Sequence, residues 1–155
     1  MKFMPNWCFN NLDISHSNPA VVDEVRLRVE SLEQDSWGGP IGFLKGLDPS
    51  WEYREACDIW WEPTDDGITV SFSSAWEPPV ELYEALTEKG WDVTGSYYEE
   101  GLDFAGIYEA GENKRLSDLS EYDDDYFVED DLAKRLEDEW GILESREEIE
   151  YVTIE

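Results

Sequence analysis

Apolar and polar residues alternate through Trp7–Ile14 (WCFNNLDI), setting Cys8, Asn10, Leu12 and Ile14 on one face of a strand. Asn18 then reads as the cap of a helix with Pro19 at its first position, continuing to about Gln34. Val22, Val25, Val29 and Leu32 give that helix an apolar stripe at three- and four-residue spacing. Ser36–Pro49 is rich in Gly and Pro and reads as a long connection rather than a ligand loop. Cys57–Trp61 and Ile68–Ser74 flank Pro63–Gly67, a hairpin signal with Gly67 where positive φ is expected. Ile68, Val70 and Phe72 face one way, and Thr69, Ser71 and Ser73 the other. Pro78-Pro79 opens a second helix over Val80–Lys89, and Gly90 stops it. Strands over Trp91–Tyr98 and Leu102–Glu109 follow, joined by Glu99-Glu100-Gly101. The order β-α-β-β-α-β, with one extra hairpin strand, predicts an α+β, ferredoxin-like split βαβ antiparallel sheet with two helices on one face.

The character changes after about Ala110. Ser117–Asp131 holds eight acids in fifteen residues and no base. Glu129–Trp140 then reads as a helix, with Val128, Leu132, Leu136 and Trp140 at four-residue spacing and Gly141 as the stop. The tail Glu148–Ile154 has the β-branched and aromatic content of a short last strand. The division expected is a ferredoxin-like domain over 1–110 and an acidic C-terminal extension with one helix, 111–155, packed on it.

Charge alters the picture. The 155 residues carry a formal net charge of −28, yet 14% are aromatic and 41% apolar. Disordered acidic chains are poor in aromatics because they have no core to fill, so this chain is expected to fold and carry its charge on the surface. The field is uneven: residues 1–75 have 13 acids and 5 bases, and residues 76–155 have 26 acids and 6 bases. Such a charge excludes direct nucleic-acid binding, which runs on Lys and Arg, and disfavours anionic membranes. No stretch has the roughly 20 apolar residues of a membrane span. Cys8 and Cys57 read as reduced core thiols of a cytoplasmic protein.

Three stretches carry a resemblance: Met4–Ile14 (MPNWCFNNLDI), Phe72–Pro79 (FSSAWEPP) and Tyr98–Gly106 (YEEGLDFAG). In that order they resemble the YubB-like family of phage and plasmid proteins over roughly residues 4–109. A short Asn-Trp-Gly stretch of that family is replaced here by Ala56–Trp61 (ACDIWW). The resemblance implies a mobile-element origin and a ferredoxin-like domain, and it transfers no catalytic residue.

Candidate chemistry is thin. His16, the only histidine, sits in a turn and reads as a solvated loop residue rather than a general base. With 39 acids, any fold brings some carboxylates together, so pairs alone do not point to acid–base catalysis. No zinc spacing occurs, and an EF-hand begun at Asp123 would place Val128 and Lys134 where Gly and Glu are required. No metal, cofactor or catalytic residue is therefore expected. The tryptophans are interleaved with acids and read mainly as core, but adjacent Trp60 and Trp61 must face opposite sides of a strand.

The acidic run is the candidate partner site: Asp118, Glu121, Tyr122, Asp123, Asp124, Asp125, Tyr126, Glu129, Asp130 and Asp131. In a continuous helix its charges would recur every ~2.8 Å, and in an extended strand every ~6 Å, against ~3.4 Å for phosphates along one DNA strand. The expectation is an acidic inhibitor from a mobile element, of anti-CRISPR or anti-restriction type. It would mimic nucleic acid and occupy the basic groove of a host nucleic-acid-binding protein, with Tyr122, Tyr126 and Phe127 as anchors. An acidic interaction module without mimicry is the alternative, and a small enzyme is the least favoured reading. The sequence does not fix the oligomeric state.

Overall fold

The computed structural model describes residues 6–34 and 56–144. The Ser36–Pro49 loop, the strand expected over Glu148–Ile154 and the side chains of Leu32 and Cys57 lie outside the described residues. The elements are β1 (Trp7–Ser15), α1 (Pro19–Gln34), β2 (Ala56–Pro63), β3 (Gly67–Ala75), α2 (Val80–Glu88), β4 (Asp92–Glu99), β5 (Phe104–Glu109), β6 (Glu112–Ser117), α3 (Tyr126–Glu129) and α4 (Asp131–Trp140). The six strands pair antiparallel in the order β2-β3-β1-β4-β5-β6. The first four strands and two helices make the expected split βαβ unit, and β5 and β6 widen the sheet beyond β4.

Local chemistry places these elements. Asn18 Oδ1 accepts the Ala20 N–H at 3.0 Å and so caps α1, where Pro19 lacks the N–H that would go unpaired. The β2–β3 turn departs from expectation at Gly67, which has no positive φ. Its missing side chain serves close approach instead, since a Cβ there would lie 1.7 Å from the Ile14 carbonyl oxygen. The unexpected strand is β6. Its residues, ENKRLS, are exposed except for half-buried Leu116, so no alternation marks it. Its turn is Ala110-Gly111, with φ of 51° and 76°, the two positive values of a tight hairpin, but without the usual Asn-Gly.

The sheet is covered on both faces. On the first, Leu12, Ile14, Ile68, Val70, Phe72, Val93 and Tyr108 meet Val22, Val25 and Val29 of α1 and Leu82, Tyr83 and Leu86 of α2. Asn10 is buried among them and satisfied: its amide donates to the Cys8 carbonyl at 3.0 Å and to Ser74 Oγ at 2.9 Å. On the second face, Tyr98, Ala105 and Ile107 are covered by Leu119, Phe127, Ala133, Leu136 and Ile142. Among the described residues, this second core occupies only the β4–β5 side, and the same face of β2, β3 and β1 shows Phe9 and Trp60 exposed.

Candidate functional site

The acidic run is built onto the second core through its apolar members. Asp103 turns the chain between β4 and β5 with φ of 62°; its carbonyl accepts the Leu119 N–H at 3.1 Å and its Oδ2 the Ser120 N–H at 2.8 Å. Asp118, with φ of 55°, leads into a 3₁₀ turn, Leu119–Glu121, that inserts Leu119 into the core. Asp123 Oδ1 then accepts the Tyr126 N–H at 3.0 Å at the start of α3, and Phe127 enters the core. Asp130 caps α4, its Oδ2 accepting the Ala133 N–H at 3.0 Å.

The structure thus gathers the ten candidate residues on one folded stretch. Asp118, Glu121, Asp123, Asp124, Asp125, Glu129 and Asp131 are exposed; Tyr122, Tyr126 and Asp130 are half-buried. The run is neither a continuous helix nor an extended strand, so the regular charge spacings computed for those forms do not apply. Phe127 is a core residue at 1% exposure rather than an anchor. Tyr122 and Tyr126 stack on each other, ring centroids 4.3 Å apart and 15° from parallel. Val128, expected on the buried face of the following helix, is instead 68% exposed among the acids because α4 begins only at Asp131.

Helix α4 is tied to the sheet by polar contacts. Arg135 forms a two-pronged pair with Glu109, Nη1 to Oε1 and Nη2 to Oε2 both at 2.8 Å, rather than pairing with Asp131 on its own helix. Those hydrogen bonds hold the Glu109 carboxyl down at about 2, with Lys114 adding to the effect. Trp140 Nε1 donates to Ser96 Oγ at 2.9 Å, and Asn11 Nδ2 donates to Glu139 Oε1 at 3.0 Å. Between α4 and the sheet runs a groove of about 400 Å³ lined by Asn11, Asp13, Thr94, Ser96, Ile107, Arg135, Asp138 and Glu139. Beyond it the face of β2, β3 and β1 presents Phe9 and Trp60, 42% and 55% exposed. Trp60 pairs with Ser71 beside a one-residue bulge in β2, while Trp61 turns under to the first core. The strand pattern held a signal for this face: with Cys8, Asn10, Leu12 and Ile14 inward, Phe9 had to point outward among polar neighbours.

The remaining candidates are structural. His16 is half-buried rather than solvated, packed edge-on to Trp91 at 5.2 Å. Its Nδ1 accepts the Asn18 N–H at 3.0 Å and its Nε2 faces the Lys89 carbonyl at 3.4 Å. Both ring nitrogens are therefore turned to backbone, although Ser15, Ser17 and Asp66 share its pocket of about 480 Å³. Cys8 is a free, fully buried thiol, pushed up to about 12 by burial and by the Glu99 charge. Glu99 holds the β4–β5 turn, its two oxygens accepting the Gly101 and Leu102 N–H groups at 2.7 and 2.6 Å. Among the described residues, no group of three or more His, Cys, Asp or Glu is arranged to hold a metal ion.

Strand order, antiparallel pairing and the helix pair on one face define an α+β protein of the ferredoxin-like class. The chain belongs to the family described as the ferredoxin-like domain in Api92-like protein, whose model matches residues 56–144. That match covers β2 through α4, so the acidic run falls inside it, and it bears the Api92-like description rather than the YubB-like one. Neither the curated proteins nor the solved structures yield a match. No helix among the described residues is long and apolar enough to cross a membrane.

Proposed function

We propose that this protein is an acidic inhibitor that occupies the basic nucleic-acid groove of a partner protein, using the 118–131 surface as a stand-in for a phosphate backbone. The observation that carries the reading is the folding of the run: Leu119 and Phe127 are buried, so seven exposed carboxylates stand on a fixed base instead of on a solvated linker. Preorganised charge loses little conformational freedom on docking and steers a cationic partner at long range. Val128 and the Tyr122–Tyr126 stack supply apolar area within the same surface. A mobile-element origin akin to the YubB-like proteins, a cytoplasmic setting and a host defence nuclease of CRISPR or restriction type as target complete the proposal, with no catalysis by this chain.

The test begins with capture from host lysate, washed at low and then high salt, followed by titration of labelled duplex on the captured protein. Mimicry requires competition, and a ternary complex in which duplex and this protein bind without weakening each other rules it out. The diagnostic variant neutralises Asp124, Asp125, Glu129 and Asp131 while sparing Asp123 and Asp130, whose carboxylates accept the backbone N–H groups of Tyr126 and Ala133. Its binding is expected to fall by about tenfold or more at ~0.1 M salt, with a shallower salt dependence.

A further inference from the structure

Among the described residues, the face of β2, β3 and β1 that presents Trp60 and Phe9 lies apart from the acidic run, across α4 from the second core. Its middle row is Trp60, Ser71, Asn11 and Ser96, consecutive partners across four strands. The row at one side is Glu62, Thr69, Asp13 and Thr94, and Phe9 stands at the other side opposite Ser73. Small hydroxyls and one amide thus form a low floor between an exposed indole and the flank of α4. A cross-strand network fixes that floor: Ser71 Oγ donates to Asn11 Oδ1 at 2.8 Å, and Asn11 donates onward to Glu139.

The charges choose the occupant. Asp13, Asp138 and Glu139 line the groove, and its one base, Arg135, is committed to Glu109. Glu62 stands exposed at the Trp60 end. An anionic ligand is repelled there, whereas a guanidinium can lie over the indole while a second meets the carboxylates. We infer that this face binds an extended, arginine-bearing segment of a partner protein, with Trp60 as the stacking platform and the Asp13–Asp138–Glu139 groove as the second cation pocket. The geometry sets the spacing. Two strands separate Trp60 from Asn11, about 10 Å, which one three-residue turn of a polyproline-II segment covers at ~3.1 Å per residue while returning both side chains to the same side. The two arginines are therefore three positions apart.

The inference does not depend on the mimicry reading, and its test separates the two. The probe is a glycine hexapeptide with arginines at positions 2 and 5, titrated to millimolar concentration against the ¹⁵N-labelled protein. Expected are shifts of the Trp60 indole N–H and the Asn11 side-chain amide. Affinity should fall about three- to fivefold with Trp60→Ala and by a similar factor with citrulline in place of either arginine. Moving the arginines next to each other weakens binding, and neutralising Asp124, Asp125, Glu129 and Asp131 leaves it within about twofold. Three results overturn the inference: shifts confined to residues 118–131, no shift at Trp60 and Asn11, or equal binding by wild type and Trp60→Ala with both folded by circular dichroism. Concentration-dependent dimerisation abolished by Trp60→Ala, with no peptide shift, would also overturn it by assigning the face to a second copy.

Discussion

Single residues decide several local outcomes. Ala110 is held at φ of 51°, a left-handed conformation that costs an alanine about 1 kcal/mol. Ala110→Asn or Ala110→Gly should therefore stabilise the β5–β6 turn by roughly 0.5–1 kcal/mol, read as a raised urea midpoint with unchanged slope. Glu109 makes a second case. Its carboxyl is held at about 2 by Arg135 in the folded chain, below its ordinary value of 4.5, so the pair's stabilisation is present above about pH 4.5 and lost as pH falls toward 2. Arg135→Met should lower stability by about 1 kcal/mol near neutral pH, because the groups are partly exposed. Compared with wild type by chemical denaturation, this deficit should close between pH 4.5 and 2; a constant deficit would show that the loss is packing rather than charge. At this scale Trp60 and Trp61 were legible, since adjacent strand residues must part company. The roles of half-buried His16 and buried Glu99 were not, because both depend on backbone groups that only the folded turns bring near.

Elements with a clear period were read from sequence to within a residue or two. Helix α1 was marked by its valine stripe and Asn18-Pro19 cap, and β3 by its alternation of Ile68, Val70 and Phe72 with Thr69, Ser71 and Ser73. Strand β6 was lost because an exposed edge strand with Lys114 and Arg115 has no apolar face to display, and Ala-Gly does not announce a hairpin. The acidic run defeated periodicity for another reason: its buried residues, Leu119 and Phe127, are eight positions apart and are set by turns at Asp118, Asp123 and Asp130. Which acids project outward could be guessed from composition; which ones hold backbone N–H groups could not. Phe127→Ala should accordingly cost about 3–5 kcal/mol and release the run, measured as new amide exchange across 118–131 while β1 and β3 stay protected.

For the molecule as a whole, the net charge of −28 opposes compactness. Raising NaCl from about 0.01 to 0.1 M shortens the screening length from roughly 30 to 10 Å, so the melting temperature should rise by several degrees. A flat or falling curve would mean that pairs such as Arg135–Glu109 outweigh the general repulsion. The place of β1 has a further consequence, in time rather than in energy. It lies at the centre of the sheet, yet its partners come far along the chain, Trp7 against Ala75 and Phe9 against Tyr98. During synthesis, β1 and the α1 that follows emerge with nothing to pair against until β3 and β4 have left the ribosome. Such non-local pairing places folding in the millisecond-to-second range. The acidic run follows β4 and β5 in the chain and packs on them, so it gains its fixed base only after both strands have emerged.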